Sequence, residues 1–197
     1  MMEPVEEIEL AGGGINRVVQ IGDAVHRPSA PWSPATRELL TLLHDAGLPV
    51  PAWRGTDDQG RDVLDYLPGE VGHYPLSEAV RSEAALVSAA RLLRRFHDVS
   101  VPLVTRDLPW QLAPLPDAEV IVHGDYAPYN LVSSREQVVG IFDLDYARPR
   151  LLGHASYMRE DAAAGNEAFA RHIEEGHAEL YERDAAYVTA HLADFGA

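Results

Sequence analysis

Residues 121–145 read IVHGDYAPYNLVSSREQVVGIFDLD, and this stretch decides the fold. Leu131 and Val132 stand on one side of a polar turn over residues 133–137, and the run VVGIF, residues 138–142, stands on the other. Apolar and β-branched runs parted by a short polar cluster predict a hairpin. Pairing of the two strands brings Asn130, just before the first, and Asp143, just after the second, to one end. Asp125 lies in the loop that feeds the same end. Two carboxylates and an amide then converge on a small volume, the oxygen-only surroundings that a hard cation such as Mg²⁺ takes.

The spacing within this stretch resembles a kinase catalytic core. His123-Gly124-Asp125, four residues and Asn130 follow the pattern of a catalytic-loop Asp and a metal-binding Asn. Asp143-Leu144-Asp145 stands where a DFG-type segment would be. Gly124 occupies the place of the protein-kinase Arg, and in that form HGDYAPYN with IFDLD resembles the aminoglycoside phosphotransferase and choline kinase family, which phosphorylates small molecules. The resemblance implies an α+β, protein-kinase-like fold of two lobes, a small antiparallel sheet followed by a mostly helical lobe. It implies ATP or GTP with Mg²⁺ as cofactors and a small-molecule hydroxyl as acceptor. It makes Asp125 the catalytic residue and puts Asn130, Asp143 and Asp145 at the metal. The bland alternative is an ordinary hairpin with surface carboxylates.

The chain of 197 residues suits one domain, or two small lobes sharing a cleft. Its formal net charge of −15 argues against nucleic-acid binding. The acidity suits cationic small molecules and solubility equally. Without cysteine there are no disulfides and no thiolate metal sites. The start, MMEPVEEIEL, lacks the basic and apolar regions of a signal peptide, and no run is apolar for long enough to span a bilayer. A cytoplasmic protein without membrane contact is expected. Lysine is absent, so every basic side chain is Arg, and a kinase-like site must manage without the usual phosphate-binding lysine.

Residues 6–10, 15–21 and 24–27 read as three short strands, parted by Ala11-Gly12-Gly13-Gly14 and by the turn dipeptide Gly22-Asp23. Bare glycine backbone can approach phosphates, and a flexible turn needs the same residues. By the resemblance, Gly13, Gly14 and Asn16 lie over the nucleotide, and Arg27 takes the place of the strand-three lysine against the α- or β-phosphate. Ser33 and Pro34 open a helix that runs to Ala46, with Ser33 as cap and Gly47 closing it. Glu38 is the one glutamate on this helix for a kinase-type pair with Arg27, in a register shifted from the family pattern. Residues 61–67 alternate into an extended segment ahead of Pro68-Gly69. The resemblance makes this segment the hinge, with Asp65, Tyr66 and Leu67 lining the adenine slot. A nucleotide-binding lobe over residues 1–68 and a catalytic lobe over 69–197 follow.

Residues 77–98 read as a helix with Leu86, Ala90, Leu93 and Phe96 as its apolar stripe and Arg91, Arg94 and Arg95 facing outward. His97 resembles a recurrent family histidine that packs beneath the catalytic loop. Beyond Asp145 the resemblance thins. Gly153 stands where relatives carry an Asp, and the chain runs at once into a terminal helical part over residues 155–195, as though a segment after about residue 150 were absent. The acceptor lobe is thus shortened, which leads to an expectation of exposed apolar surface and a homodimer. His172, Glu175 and His177 in that part read as surface residues. Two rival functions stand beside phosphotransfer. One is a non-catalytic nucleotide- or ligand-binding pseudokinase of the same fold, suggested by the missing lysine and short lobe. The other is a hydrolytic transition-metal site on His123, Asp125 and Asp143.

Overall fold

Turn glycines and short β-branched runs build an antiparallel sheet at the start of the chain. The computed structural model of the protein describes residues 7–10, 17–150 and 174. Strands β1 (Glu7–Glu9), β2 (Val19–Ile21), β3 (Ala24–Pro28), β4 (Trp53–Thr56) and β5 (Arg61–Asp65) form one sheet in the order β1-β2-β3-β5-β4. Gly22 turns β2 into β3 with a φ of +62°, a left-handed conformation that costs glycine nothing. In the β3–β5 ladder His26 faces Val63 and Arg27 faces Asp62.

Helix α1 (Ser33–Asp45) covers the sheet with Leu39, Leu40 and Leu43. Its cap differs from expectation. Trp32 is the N-cap residue and makes no side-chain capping bond, whereas the Ser33 hydroxyl accepts from the Ala30 amide at 2.9 Å. Ser33 therefore organises the preceding turn, and Pro34 still falls in the first turn of the helix. Gly47, with φ +73°, closes the end as expected, donating its amide to the His44 carbonyl.

Helix α2 (Glu83–Ser100) begins six residues later than the sequence pattern suggests. The Ser82 side chain accepts from the Ala85 amide at 3.1 Å, an N-cap that fixes the start there. Phe96 is buried as expected, but the rest of the stripe is shifted by one position: Ala85, Leu92 and Ser100 face inward, and Leu86 is 69% exposed. The reason is tertiary. The Ser88 hydroxyl on α2 accepts from the Val138 amide at 2.8 Å, which fixes the face turned to the hairpin.

A short strand β6 (Glu70–Val71) leads towards α2, and β7 (Val120–Val122) follows it. The expected hairpin is β8 (Leu131–Ser134) with β9 (Gln137–Ile141), and β6 extends it to a sheet ordered β6-β8-β9. Its turn is tighter than expected. Only Arg135 and Glu136 separate the strands, at φ +48° and +61°, as a two-residue turn of the I′ kind requires. Strand β10 (Arg148–Arg150) pairs with β7.

One apolar cluster runs through these parts, joining Leu39 and Leu43 of α1, Leu64 of β5, Phe96 of α2, Ile121, Ile141 and Leu144. Among the described residues, no helix is long and apolar enough to cross a membrane. Gly13, Gly14 and Asn16, the terminal helical part with His172, Glu175 and His177, and the segment holding Gly153 lie outside the described residues.

Candidate active site

The hairpin register delivers the first three residues. Leu131 faces Ile141, so Asn130 and Phe142 lie side by side, and the Phe142 amide donates to the Asn130 carbonyl at 3.1 Å. Asp143 follows at once, at φ +59°, a left-handed conformation that aspartate enters more readily than most residues. Leu144 is 1% exposed and anchored in the core. It is flanked by Asp143, whose side chain is half-exposed, and Asp145, whose side chain is largely buried beside Arg27.

Gly124 explains why this loop differs from that of a protein kinase. Its φ is +84°, and a Cβ there would lie 2.2 Å from the Tyr146 carbonyl oxygen. No larger residue fits. After Gly124 the loop reaches Asp125 and a single 3₁₀ turn, Pro128–Asn130. Asn130 Nδ2 donates to the Asp125 carbonyl at 2.8 Å and to Asp125 Oδ2 at 2.9 Å. Both amide hydrogens are thereby engaged, and Oδ1 is left as the free polar atom of the side chain. The Tyr129 hydroxyl donates to the other carboxylate oxygen, Asp125 Oδ1, at 2.7 Å. That bond is the first cause that pushes the phenol above its ordinary pKa, followed by burial and the Asp125 charge.

His123 ties the two segments together. The Asp125 amide donates to Nδ1 at 3.3 Å, which assigns the proton to Nε2, and Nε2 donates to the Phe142 carbonyl at 3.1 Å. Burial lowers the pKa of this imidazole, against the pull of the Phe142 carbonyl and Asp125. The ring is 1% exposed and neutral. With one nitrogen accepting and the other donating, neither is left for a metal, which corrects the transition-metal reading.

Arg27 reaches this end from β3. Its Nη2 donates to Asp145 Oδ2, and its Nη1 lies 3.9 Å from Asp143 Oδ1. The Arg27 and Asp145 side chains are 14% and 12% exposed. Asp145 Oδ1 is buried without a partner. Asp143 is 46% exposed by surface, yet its carboxyl is pushed above the ordinary value, by burial first and then by the Asp145 charge, with Arg27 opposing. Glu38 takes no part, because Arg106 holds it at 2.8 Å. Asp145 therefore fills the place of the helix glutamate beside Arg27.

Among the described residues, no three His, Asp or Glu side chains are grouped tightly enough to hold a metal by themselves. Mg²⁺ does not require such a cage. It takes one or two carboxylates and completes its shell with water and phosphate oxygens. Asn130 Oδ1, the Asp143 carboxylate and the orphaned Asp145 Oδ1 are hard oxygen atoms of that kind, so the donor chemistry fits.

The expected hinge residues divide. The Asp65 amide donates to the Ala52 carbonyl and the Tyr66 amide to the Asp23 carbonyl, at 3.0 and 2.9 Å. The Asp65 carboxylate is engaged by Arg54 at 2.5 Å, at the edge of the sheet. Leu67 lies over the hairpin: a Cβ on Gly140 would come within 2.9 Å of its Cδ1. Leu67 is thus the member that meets the β8–β9 surface. Sequence reasoning missed Tyr129. A signal existed, since a Pro-initiated turn after Asp125 returns the residue four positions on to the same side.

Residues 7–117 and 103–182 match the phosphotransferase enzyme family. The trifolitoxin immunity protein of Rhizobium leguminosarum bv. trifolii is 32% identical over 154 residues, which cover 73% of this chain. The chain spans 57% of the length of that curated relative. Among solved structures, ADP-bound aminoglycoside phosphotransferase APH(2'')-Ib superposes with a TM-score of 0.55 at 16% identity, over 73% of this chain and 67% of that one. A thermostable mutant of aminoglycoside phosphotransferase APH(4)-Ia gives 0.56 at 15% identity, over 89% and 80%. A choline/ethanolamine kinase family protein from Mesorhizobium loti gives 0.50 at 18% identity, over 74% and 59%. At such identities the likeness establishes the fold, an α+β protein-kinase-like architecture. Together with the sequence match, this makes the chain a member of the phosphotransferase enzyme family.

Proposed function

We propose that the chain transfers the γ-phosphoryl group of a nucleoside triphosphate, ATP or GTP, to a hydroxyl of a small molecule. The observation that carries this reading is the hydrogen-bonded pair Asp125–Asn130, held at the hairpin end where Asp143 also emerges. Asp125 accepts or orients the proton of the acceptor hydroxyl. Asn130, Asp143 and Asp145 hold Mg²⁺, which when bound neutralises charge on the phosphates. Arg27 steadies the α- or β-phosphate through its planar fork, with Asp145 orienting the guanidinium. The family pattern assigns Gly13, Gly14 and Asn16 to the nucleotide and Asp65, Tyr66 and Leu67 to the adenine slot. Since the Asp65 and Tyr66 amides already donate to Ala52 and Asp23, Leu67 is the member left to contact the base. Catalysis of this kind is mostly positioning and charge stabilisation.

Asp125→Asn tests the reading. Turnover with a panel of hydroxyl acceptors should vanish while Mg²⁺-nucleotide still binds. Full activity in that variant rejects the assignment. The second reading, a nucleotide-binding pseudokinase, is favoured by one observation: Arg27 is already engaged by Asp145, so a phosphate must share it. Nucleotide binding with no turnover on any acceptor would favour that reading.

A further inference from the structure

Asp125 presents two carboxylate oxygens, and the chain engages both, Oδ2 through Asn130 Nδ2 at 2.9 Å and Oδ1 through Tyr129 Oη at 2.7 Å. The first contact orients an amide on the metal side. The second is a hydroxyl donating to the base at the distance an acceptor hydroxyl would take. Tyr129 is 39% exposed as a residue, so it is not a core residue that happens to end at the loop. It stands four residues after Asp125, within one loop and one 3₁₀ turn. A hydroxyl so tethered has a high effective concentration at the base. A passing water must compete with it, whereas a bound acceptor brings further contacts that offset the displacement.

We infer that Tyr129 is a specificity-determining residue whose hydroxyl screens Asp125 from water, so that phosphoryl transfer waits for an acceptor able to displace it. This rests on the phosphotransferase reading above. With the screen removed, a water oxygen bonds to the γ-phosphorus, its proton passes to Asp125 Oδ1, and the bond to the nucleoside diphosphate breaks. The products are inorganic phosphate and the diphosphate.

The test measures Mg²⁺-ATP hydrolysis without acceptor in the wild type, Tyr129→Phe and the double variant Asp125→Asn/Tyr129→Phe, with nucleotide binding followed by calorimetry. Hydrolysis should rise on the order of tenfold in Tyr129→Phe and fall back in the double variant, because the gain requires the base. Unchanged or slower hydrolysis in a Tyr129→Phe protein that binds nucleotide overturns the screen and leaves the phosphotransferase reading standing. A wild type that binds no Mg²⁺-nucleotide overturns both. Phosphate recovered on Tyr129 also overturns the screen, since the phenol would then be the acceptor. A second measurement needs no nucleotide: acetylation of the Tyr129 phenol by N-acetylimidazole, mapped by mass spectrometry, should be faster in Asp125→Ala. Equal rates overturn the proposal.

Discussion

Arg27, on the third strand of the N-terminal sheet, donates to the carboxylate of Asp145, 118 residues further along the chain. Both side chains are largely buried, so the pair joins the sheet to the segment after the hairpin in poorly hydrated surroundings. Arg27→Ala would leave Asp145 with neither oxygen partnered. Breaking a buried pair by removing one partner costs roughly 3 kcal/mol. Chemical denaturation should register such a loss, and nucleotide affinity should fall with it. A double variant, Arg27→Met with Asp145→Leu, should be less destabilised than the sum of its parts. An Arg27→Ala protein with unaltered nucleotide affinity would remove Arg27 from the phosphate site.

Asp143→Asn should separate stability from function. The Asp143 carboxyl titrates above its ordinary value, chiefly because burial and Asp145 disfavour its charge. A raised carboxylate pKa means the ionised form costs the folded state stability as pH rises through that range. A neutral amide removes the cost, and asparagine also tolerates φ +59° well. The metal-free variant should therefore melt higher than the wild type at neutral pH. Its turnover should fall about 10²–10³-fold, as for loss of one electrostatic group at the reacting centre. Calorimetric scans and Mg²⁺-dependent activity check the two halves.

Gly124→Ala and Gly47→Ala form a matched pair. Both glycines have positive φ, but a Cβ on Gly47 meets nothing within 4 Å, whereas one on Gly124 would meet the Tyr146 backbone at 2.2 Å. Gly47→Ala should cost about 1 kcal/mol, the left-handed penalty alone. Gly124→Ala should cost roughly 3 kcal/mol or more, because backbone must move. Activity should fall with it, since Asp125 is the next residue. Urea titration of both variants separates the two costs.

Acid should loosen the site before the rest of the protein needs to yield. His123 and His97 both titrate below the ordinary histidine value because burial disfavours the cation. Between their folded pKa values and ~6.5 the unfolded chain binds more protons, so stability drops as pH falls through that window. His123→Gln should flatten the drop. Melting temperatures from pH 7.5 down to 5 in both proteins measure it, and identical slopes would exclude His123 as a source.

Much of this architecture was legible in the sequence. The spacing of Asp125, Asn130 and Asp143 and the two apolar runs of the hairpin are local features, and local features survive folding. The tip of the hairpin was not legible, because Arg135 and Glu136 adopt left-handed conformations usually marked by Asn or Gly. Apart from Phe96, the inward face of α2 was displaced by one residue because Ser82 caps it and Ser88 meets Val138, contacts that periodicity cannot foresee. The partner of Arg27 was hidden for a similar reason. Glu38 is drawn off by Arg106, and the carboxylate that replaces it comes from a distant part of the chain.

The single imidazole between the Asp125 amide and the Phe142 carbonyl has a mechanical consequence. The loop that carries Asp125 and the strand end that carries Asp143 are tied to each other through this one ring. A displacement of the loop then carries the strand end with it, and the spacing of Asp125 and Asp143 is kept.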